Sequence, residues 1–246
     1  MVVVSLIWFI YDFSSYSFGL YSSTIIDNLL GTQTALWKSF GWNTLINFFY
    51  MPGCILGAFV ADWFGPRYTL AFGVLAQAIV GFIMAGCYGP LSKPENIGGF
   101  VVVYGIFLAL GELGPGDNIG LVASKTSATA IRGQYYGIAA AMGKIGAFVG
   151  TKTLGIIYAK YETSDPIKAG QIPFFISSGL CIVSACLALF CLPHIGQDTI
   201  DEEDRQFRAY LEQNGYDVSK LGTHSASTEN MVRQSSDETT EKSRVE

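Results

Sequence analysis

Apolar residues fall into six long blocks over the first 197 positions, separated by short connections rich in polar, glycine and proline residues. Each block holds about the 20 residues that a helix needs to cross roughly 30 Å of hydrocarbon. The pattern predicts membrane-spanning helices at 2–24, 41–61, 69–88, 98–122, 135–157 and 172–192. The third and sixth are the plainest, because Thr69 to Tyr88 and Ile172 to Leu192 contain no charged residue. Trp63-Phe64-Gly65-Pro66-Arg67 and Gly89-Pro90 mark tight turns. Pro52 and Pro115 fall inside spans, where neighbouring helices satisfy the backbone groups that proline frees. An even number of spans puts both ends of this six-helix domain, residues 1–197, on one side of the membrane.

From residue 198 the pattern changes. Asp201-Glu202-Glu203-Asp204 opens a segment expected to be helical to about 221, with Phe207, Tyr210 and Leu211 as an apolar stripe. Beyond Gly222 the chain is Ser, Thr and charge, the composition of a disordered, solvated tail.

Composition sharpens this reading. Half of the 246 residues are apolar and only 14% are charged, well below the charge of an ordinary soluble domain. The mean hydropathy is +0.35. Residues 1–197 carry 9 Lys and Arg against 8 Asp and Glu; residues 198–246 carry 6 against 12. The acidity therefore belongs to the tail, and no basic surface supports a nucleic-acid partner. The five cysteines form no CxxC pair and read as small apolar packing residues. Met1 is followed directly by Val-Val-Val, without the basic start and small-residue cleavage site of a secretory signal, so the first block is expected to stay in the membrane. Loop lysines and arginines are spread evenly and do not orient the domain.

An ionisable side chain inside a span is costly and normally faces a cavity or a bundle interior. Asp12 sits near the middle of the first span, and Trp8, Asp12 and Tyr16 follow each other at single-turn spacing on one face. A carboxylate between two aromatic groups suits a cavity wall that holds a polar ligand or a proton, or a carboxylate held by structural hydrogen bonds. Lys144 lies about ten residues into the fifth span, among Ala139, Ala140, Ala141, Gly143, Gly146 and Gly150. The glycines account for close helix packing but not for the lysine, which requires Asp12 or an anionic solute as partner. The fourth span contains Gly111-Glu112-Leu113-Gly114-Pro115-Gly116-Asp117-Asn118. Such a run breaks regular helix hydrogen bonding, as discontinuous transporter helices do at their sites, and it serves equally as a hinge or a tight contact. Glu112, Asp117 and Asn118 are candidates there, with Asn43 and Asn47 as lesser ones. Asp62, Gly65 and Arg67 flank a tight turn and read as a charged gating latch or as a simple capped turn. No cluster of acid, base, nucleophile or metal ligands suggests an enzyme, and no cofactor is expected.

In combination these residues resemble the C-terminal half, helices seven to twelve, of a major facilitator superfamily transporter. Gly57 through Arg67 are similar to the superfamily's cytoplasmic loop motif. Trp8, Asp12 and Tyr16, Gly114-Pro115, and Gly137 through Lys144 with Gly146 resemble the fungal phosphate:proton symporter branch. Within it, residues 9–16 and Ser22-Ser23-Thr24-Ile25 resemble the glycerophosphoinositol and glycerophosphodiester permeases. The resemblance implies an all-α membrane protein with cytoplasmic termini in the plasma membrane. It places substrate binding on Trp8, Asp12, Tyr16 and Lys144, and proton coupling on Asp12, with Glu112 as a second acid. The sequence departs from the branch at Gly116-Asp117-Asn118 and Glu112. That added negative charge favours a larger organic phosphodiester over inorganic phosphate.

The expected function is therefore that of one half of a proton-coupled carrier for an anionic organic phosphate. Its partners would be the solute, the proton, the lipid bilayer, and a missing N-terminal six-helix half or a second copy. A truncated gene model or fragment is the expected reason that only one half is present. Inorganic phosphate transport, a general sugar or organic-solute permease, and a non-transporting membrane fragment are the alternatives.

Overall fold

The computed structural model describes residues 1–30, 36–196 and 198–218. The expected tail beyond 218, including His224, lies outside the described residues. The described chain is helical. Its long elements are α1 (Val2–Leu30), α2 (Leu36–Phe48), α3 (Tyr50–Phe64), α4 (Pro66–Gly86), α6 (Ile97–Gly111), α7 (Asp117–Lys125), α8 (Arg132–Glu162), α9 (Pro166–Cys191) and α10 (Thr199–Gln213). A single turn, α5 (Tyr88–Leu91), closes the connection after α4.

Among the described residues, five stretches are long and apolar enough to cross a membrane: Val2–Gly19, Leu36–Phe64, Pro66–Gly86, Pro94–Lys125 and Pro166–Cys191. The remaining expected span, the fifth, is α8, which has 31 residues and so runs roughly 46 Å. Its polar composition, with Lys144 and Lys152 in mid-helix, separates it from the other five. It is nevertheless packed along α1, while α4 packs along α9, and α8 also touches α9. The six expected spans thus pack as one helical bundle.

Two spans are interrupted. The second comprises α2 and α3, which meet at Phe49. Phe49 is drawn against Gly105 of α6, where an added Cβ would overlap its ring. The fourth comprises α6 and α7, joined by a single wide π-turn at Glu112–Gly116 with Pro115 inside it. Proline has no N–H to donate and its ring collides with the preceding turn, so the helix widens there. Widened turns of this kind collect at functional sites.

Packing rests on close backbone approach, as expected where lipid tails are as apolar as leucine and offer no drive for burial. A Cβ on Gly146 or Gly150 of α8 would overlap the Phe9 or Phe13 carbonyl of α1. Gly73 of α4 meets Gly114 of the π-turn backbone to backbone. At one end of the bundle an aromatic core joins Phe18, Tyr104, Phe107 and Phe174; Phe18 and Phe174 stack with centroids 4.7 Å apart. At the other, Val4, Ile7, Leu70, Val122 and Leu192 form an aliphatic core.

The α3–α4 turn needs glycine: Gly65 has φ +83°, a region that disfavours a side chain, and its N–H donates to Ala61 O at 2.9 Å. At the same end of the bundle, α10 is held to the α7–α8 loop. Asp204 accepts from the Thr129 N–H at 2.5 Å and from its hydroxyl at 2.7 Å, and Arg132 donates to Thr129 Oγ1 at 3.0 Å.

Candidate functional site

The site begins with α1. Its face carrying Trp8, Asp12 and Tyr16 turns toward α8, and the glycines of α8 let the two backbones come close. At Gly143 an added Cβ would strike Trp8 and crowd the Asp12 carboxylate. Because α8 lacks a side chain there, Asp12 is buried at 3% exposure yet still reaches Lys144. Lys144 Nζ lies 3.3 Å from Asp12 Oδ2 and donates to the Tyr16 hydroxyl. It also stands 4.2 Å from the Tyr16 ring centroid. The pair is unequal: the Asp12 side chain is 4% exposed and that of Lys144 60%. The lysine thus keeps an open side, while the carboxylate is largely withdrawn from solvent.

Trp8, Tyr11, Asp12, Ser15 and Tyr16 of α1 line one wall of an open cavity of about 510 Å³. The facing wall carries Tyr50, Glu112, Gly116, Asp117 and Tyr136. Trp8 and Tyr136 meet edge to face at 5.3 Å, closing the corner between α1 and α8. The π-turn positions the acids. It swings Glu112 toward Tyr11, whose hydroxyl donates to Glu112 Oε1 at 3.1 Å, while Cys54 of α3 donates its thiol to Glu112 Oε2 at 3.7 Å. Cys54, Glu112 and Asp117 lie close enough to place one ligand atom each within 4.8 Å of the others.

Of the residues singled out in the sequence, Trp8, Asp12, Tyr16, Glu112 and Asp117 come together on this cavity, with Lys144 joined to it through Asp12 and Tyr16. Asn118 does not reach it. It is 1% exposed and its amide donates to the carbonyls of Leu113 and Gly114, within the π-turn, at 2.9 Å each. Asn43 and Asn47 sit on α2 outside the lining and donate back to the carbonyls of Ser39 and Asn43 at 3.1 and 2.8 Å. Asp62 is exposed. Arg67 reaches instead across to α9, donating to the carbonyls of Ala188, at 3.2 Å, and Leu189. These are unsatisfied carbonyls in the last turn of α9, where a cation also meets the negative end of the helix dipole.

Sequence reasoning missed Tyr11, Ser15, Tyr50 and Tyr136. Tyr11 and Ser15 stand one turn apart beside the Asp12 face, which is itself a sequence signal. Tyr50 and Tyr136 come from other helices and carry no local signature.

Comparison with known proteins places these features. Residues 1–207 match the family model described as sugar (and other) transporter. A glycerophosphodiester transporter of Candida albicans is 55% identical over 230 residues, covering 93% of this chain and 42% of that protein. The major glycerophosphoinositol permease of the same yeast is 56% identical, covering 90% and 41%. Glycerophosphoinositol transporter 1 of Saccharomyces cerevisiae is 35% identical, covering 92% and 42%. The chain thus spans about two fifths of the length of these curated relatives. It belongs to the sugar (and other) transporter family of the major facilitator superfamily and is most similar, among these, to fungal glycerophosphodiester permeases.

Proposed function

We propose that the chain forms the C-terminal half of a proton-coupled carrier for glycerophosphodiesters such as glycerophosphoinositol. The observation that carries this reading is the Lys144–Asp12 pair with Tyr16 and Trp8 at one end of a cavity whose other end is acidic and phenolic. The phosphodiester monoanion takes the open side of Lys144, with the Tyr16 hydroxyl and Trp8 N–H as further donors. The polyol end lies toward Glu112, Asp117, Tyr11 and Tyr50. Carboxylates and phenols accept and donate hydrogen bonds to hydroxyl groups, and aromatic faces cover sugar C–H surface. Inorganic phosphate would bring its charge close to these acids and no polyol to bond with them.

Proton coupling follows from competition for one cation. While Asp12 is charged it holds Lys144. A proton on Asp12 cancels that attraction and releases the ammonium to the phosphodiester, so solute and proton enter together. Glu112, beside the polyol end, is the second proton-carrying group in this reading. The cover over the open side of the cavity comes from an N-terminal six-helix half, or from a second copy of this chain, and transport is the rocking of one half against the other around the site. Arg67 holding the end of α9, with Gly65 and Asp62 at the same turn, serves as the cytoplasmic latch. Both termini, with the acidic tail from 198, lie in the cytoplasm, and the carrier resides in the plasma membrane.

The test is uptake of labelled glycerophosphoinositol by the assembled carrier, in a host lacking glycerophosphodiester uptake of its own. Excess unlabelled glycerophosphoinositol or glycerophosphocholine is expected to compete strongly, inorganic phosphate weakly, and a proton uncoupler to abolish uptake. Uptake blocked by inorganic phosphate and indifferent to glycerophosphodiesters would overturn the assignment.

A further inference from the structure

Behind the cavity wall lies a second, enclosed chamber bounded by α1, α3, α4, α6 and α9. We propose that it binds an ordered water molecule bridging Ser14 of α1, Ser184 of α9 and Gln77 of α4. Ser14 is 5% exposed and Ser184 1%. Both line the chamber, and neither hydroxyl has a hydrogen-bond partner among the described residues.

Several other Ser and Thr hydroxyls of the bundle are satisfied locally. A helical Ser or Thr satisfies itself by donating to the carbonyl four residues back. Ser17 does so to Phe13, Thr69 to Gly65, Ser127 to Ala123 and Thr151 to Ala147. Ser14 and Ser184 do not. A buried hydroxyl left unsatisfied is destabilising, and inside a membrane no bulk water is at hand to relieve it. Ser177 and Ser178 of α9 also lack a protein partner but stand outside the chamber lining, and play no part here.

The third partner has capacity to spare. Gln77, 5% exposed, donates through Nε2 to Phe107 O at 3.2 Å and accepts at Oε1 from the Cys181 thiol at 3.5 Å. An amide oxygen has two lone pairs, so Oε1 can accept once more. The chamber leaves about 10 Å³ to the centre of a water molecule, near the minimum of about 10–15 Å³ that one water requires. Water fits this donor set better than a cation does. Three neutral oxygens, with no carboxylate among the lining residues, fall short of the six or more oxygens that a hard ion such as Ca²⁺ takes. Tyr11, Ser15 and Tyr50 line both the chamber and the open cavity. The water therefore sits one side chain behind the proposed solute site, against the ring whose hydroxyl holds Glu112. The proposal does not depend on which solute is carried.

The experiment is an experimental map of the protein in lipid nanodiscs, at a resolution that shows ordered water, for the wild type and for Ser14→Ala with Ser184→Ala. The expected result is a solvent peak within hydrogen-bond distance of both serine oxygens in the wild type and no peak in the variant. Serine hydroxyls turned onto their own helix carbonyls around an empty chamber would overturn the proposal. An unchanged peak in the variant would overturn it equally. Should the double variant fail to fold, the wild-type map decides alone.

Discussion

Lys144 is the residue on which the site turns, because its carboxylate partner is buried, whereas the Lys168–Asp165 and Arg205–Glu202 pairs lie on exposed surface. A hydrogen bond to a charged group contributes about 1.5–3 kcal/mol. Lys144→Ala is therefore expected to weaken glycerophosphodiester binding by about 10- to 100-fold, read as the dissociation constant of the folded protein. The same substitution strands Asp12 without its partner. Adding Asp12→Asn removes the stranded charge, so the stability loss of the double variant is expected to be smaller than the sum of the two single losses. Thermal unfolding of the four proteins measures this coupling, and additive losses would mean the two side chains act independently. Asp12 and Lys144 are legible in the sequence itself, because charge deep in an apolar span has few explanations. Arg67 stands out there as a charge beside a tight turn, but its partner does not. The carbonyls of Ala188 and Leu189 lie more than a hundred residues away and are backbone groups, which residue types do not advertise.

Helix packing explains why those side chains can meet. Gly146 and Gly150 place α8 against the carbonyls of Phe9 and Phe13, and any side chain there pushes α1 away from Lys144. Gly146→Val is expected to destabilise the fold by about 1–3 kcal/mol or more, since overpacking forces backbone shifts. It is also expected to impair solute binding although residue 146 touches no solute, and a lowered unfolding temperature in detergent checks the first effect. The long apolar blocks and the small-residue face of α8 can be read from spacing alone. The interruptions cannot. The second span parts at Phe49 because of a fit against Gly105 on another helix, and the π-turn is foreseeable as a break at Pro115 but not in the direction it aims Glu112. Asn118 illustrates the same limit: its position in the broken run suggests the cavity, whereas its amide donates to the carbonyls of Leu113 and Gly114 inside the π-turn.

At the scale of the molecule, six helices present one wall of a cavity that is open on the side away from the bundle core. The apolar faces that remain exposed on α3, such as Met51, Ile55 and Phe59, and on α8, such as Ile138, Ile145 and Phe148, are suited to lipid or to a companion half. Rocking of two such halves asks each to keep its own core intact, and the aromatic and aliphatic clusters at the two ends of this bundle supply that rigidity. The account stands on Lys144 opening into water that the solute can enter. The direct measurement replaces the native cysteines, introduces Lys144→Cys, and follows its labelling by a charged, water-soluble thiol reagent in the assembled carrier. Rapid labelling that glycerophosphoinositol slows is the expected result. A cysteine that only a lipid-soluble reagent can reach, at a rate unaffected by the solute, would place residue 144 against the bilayer and contradict the proposed site.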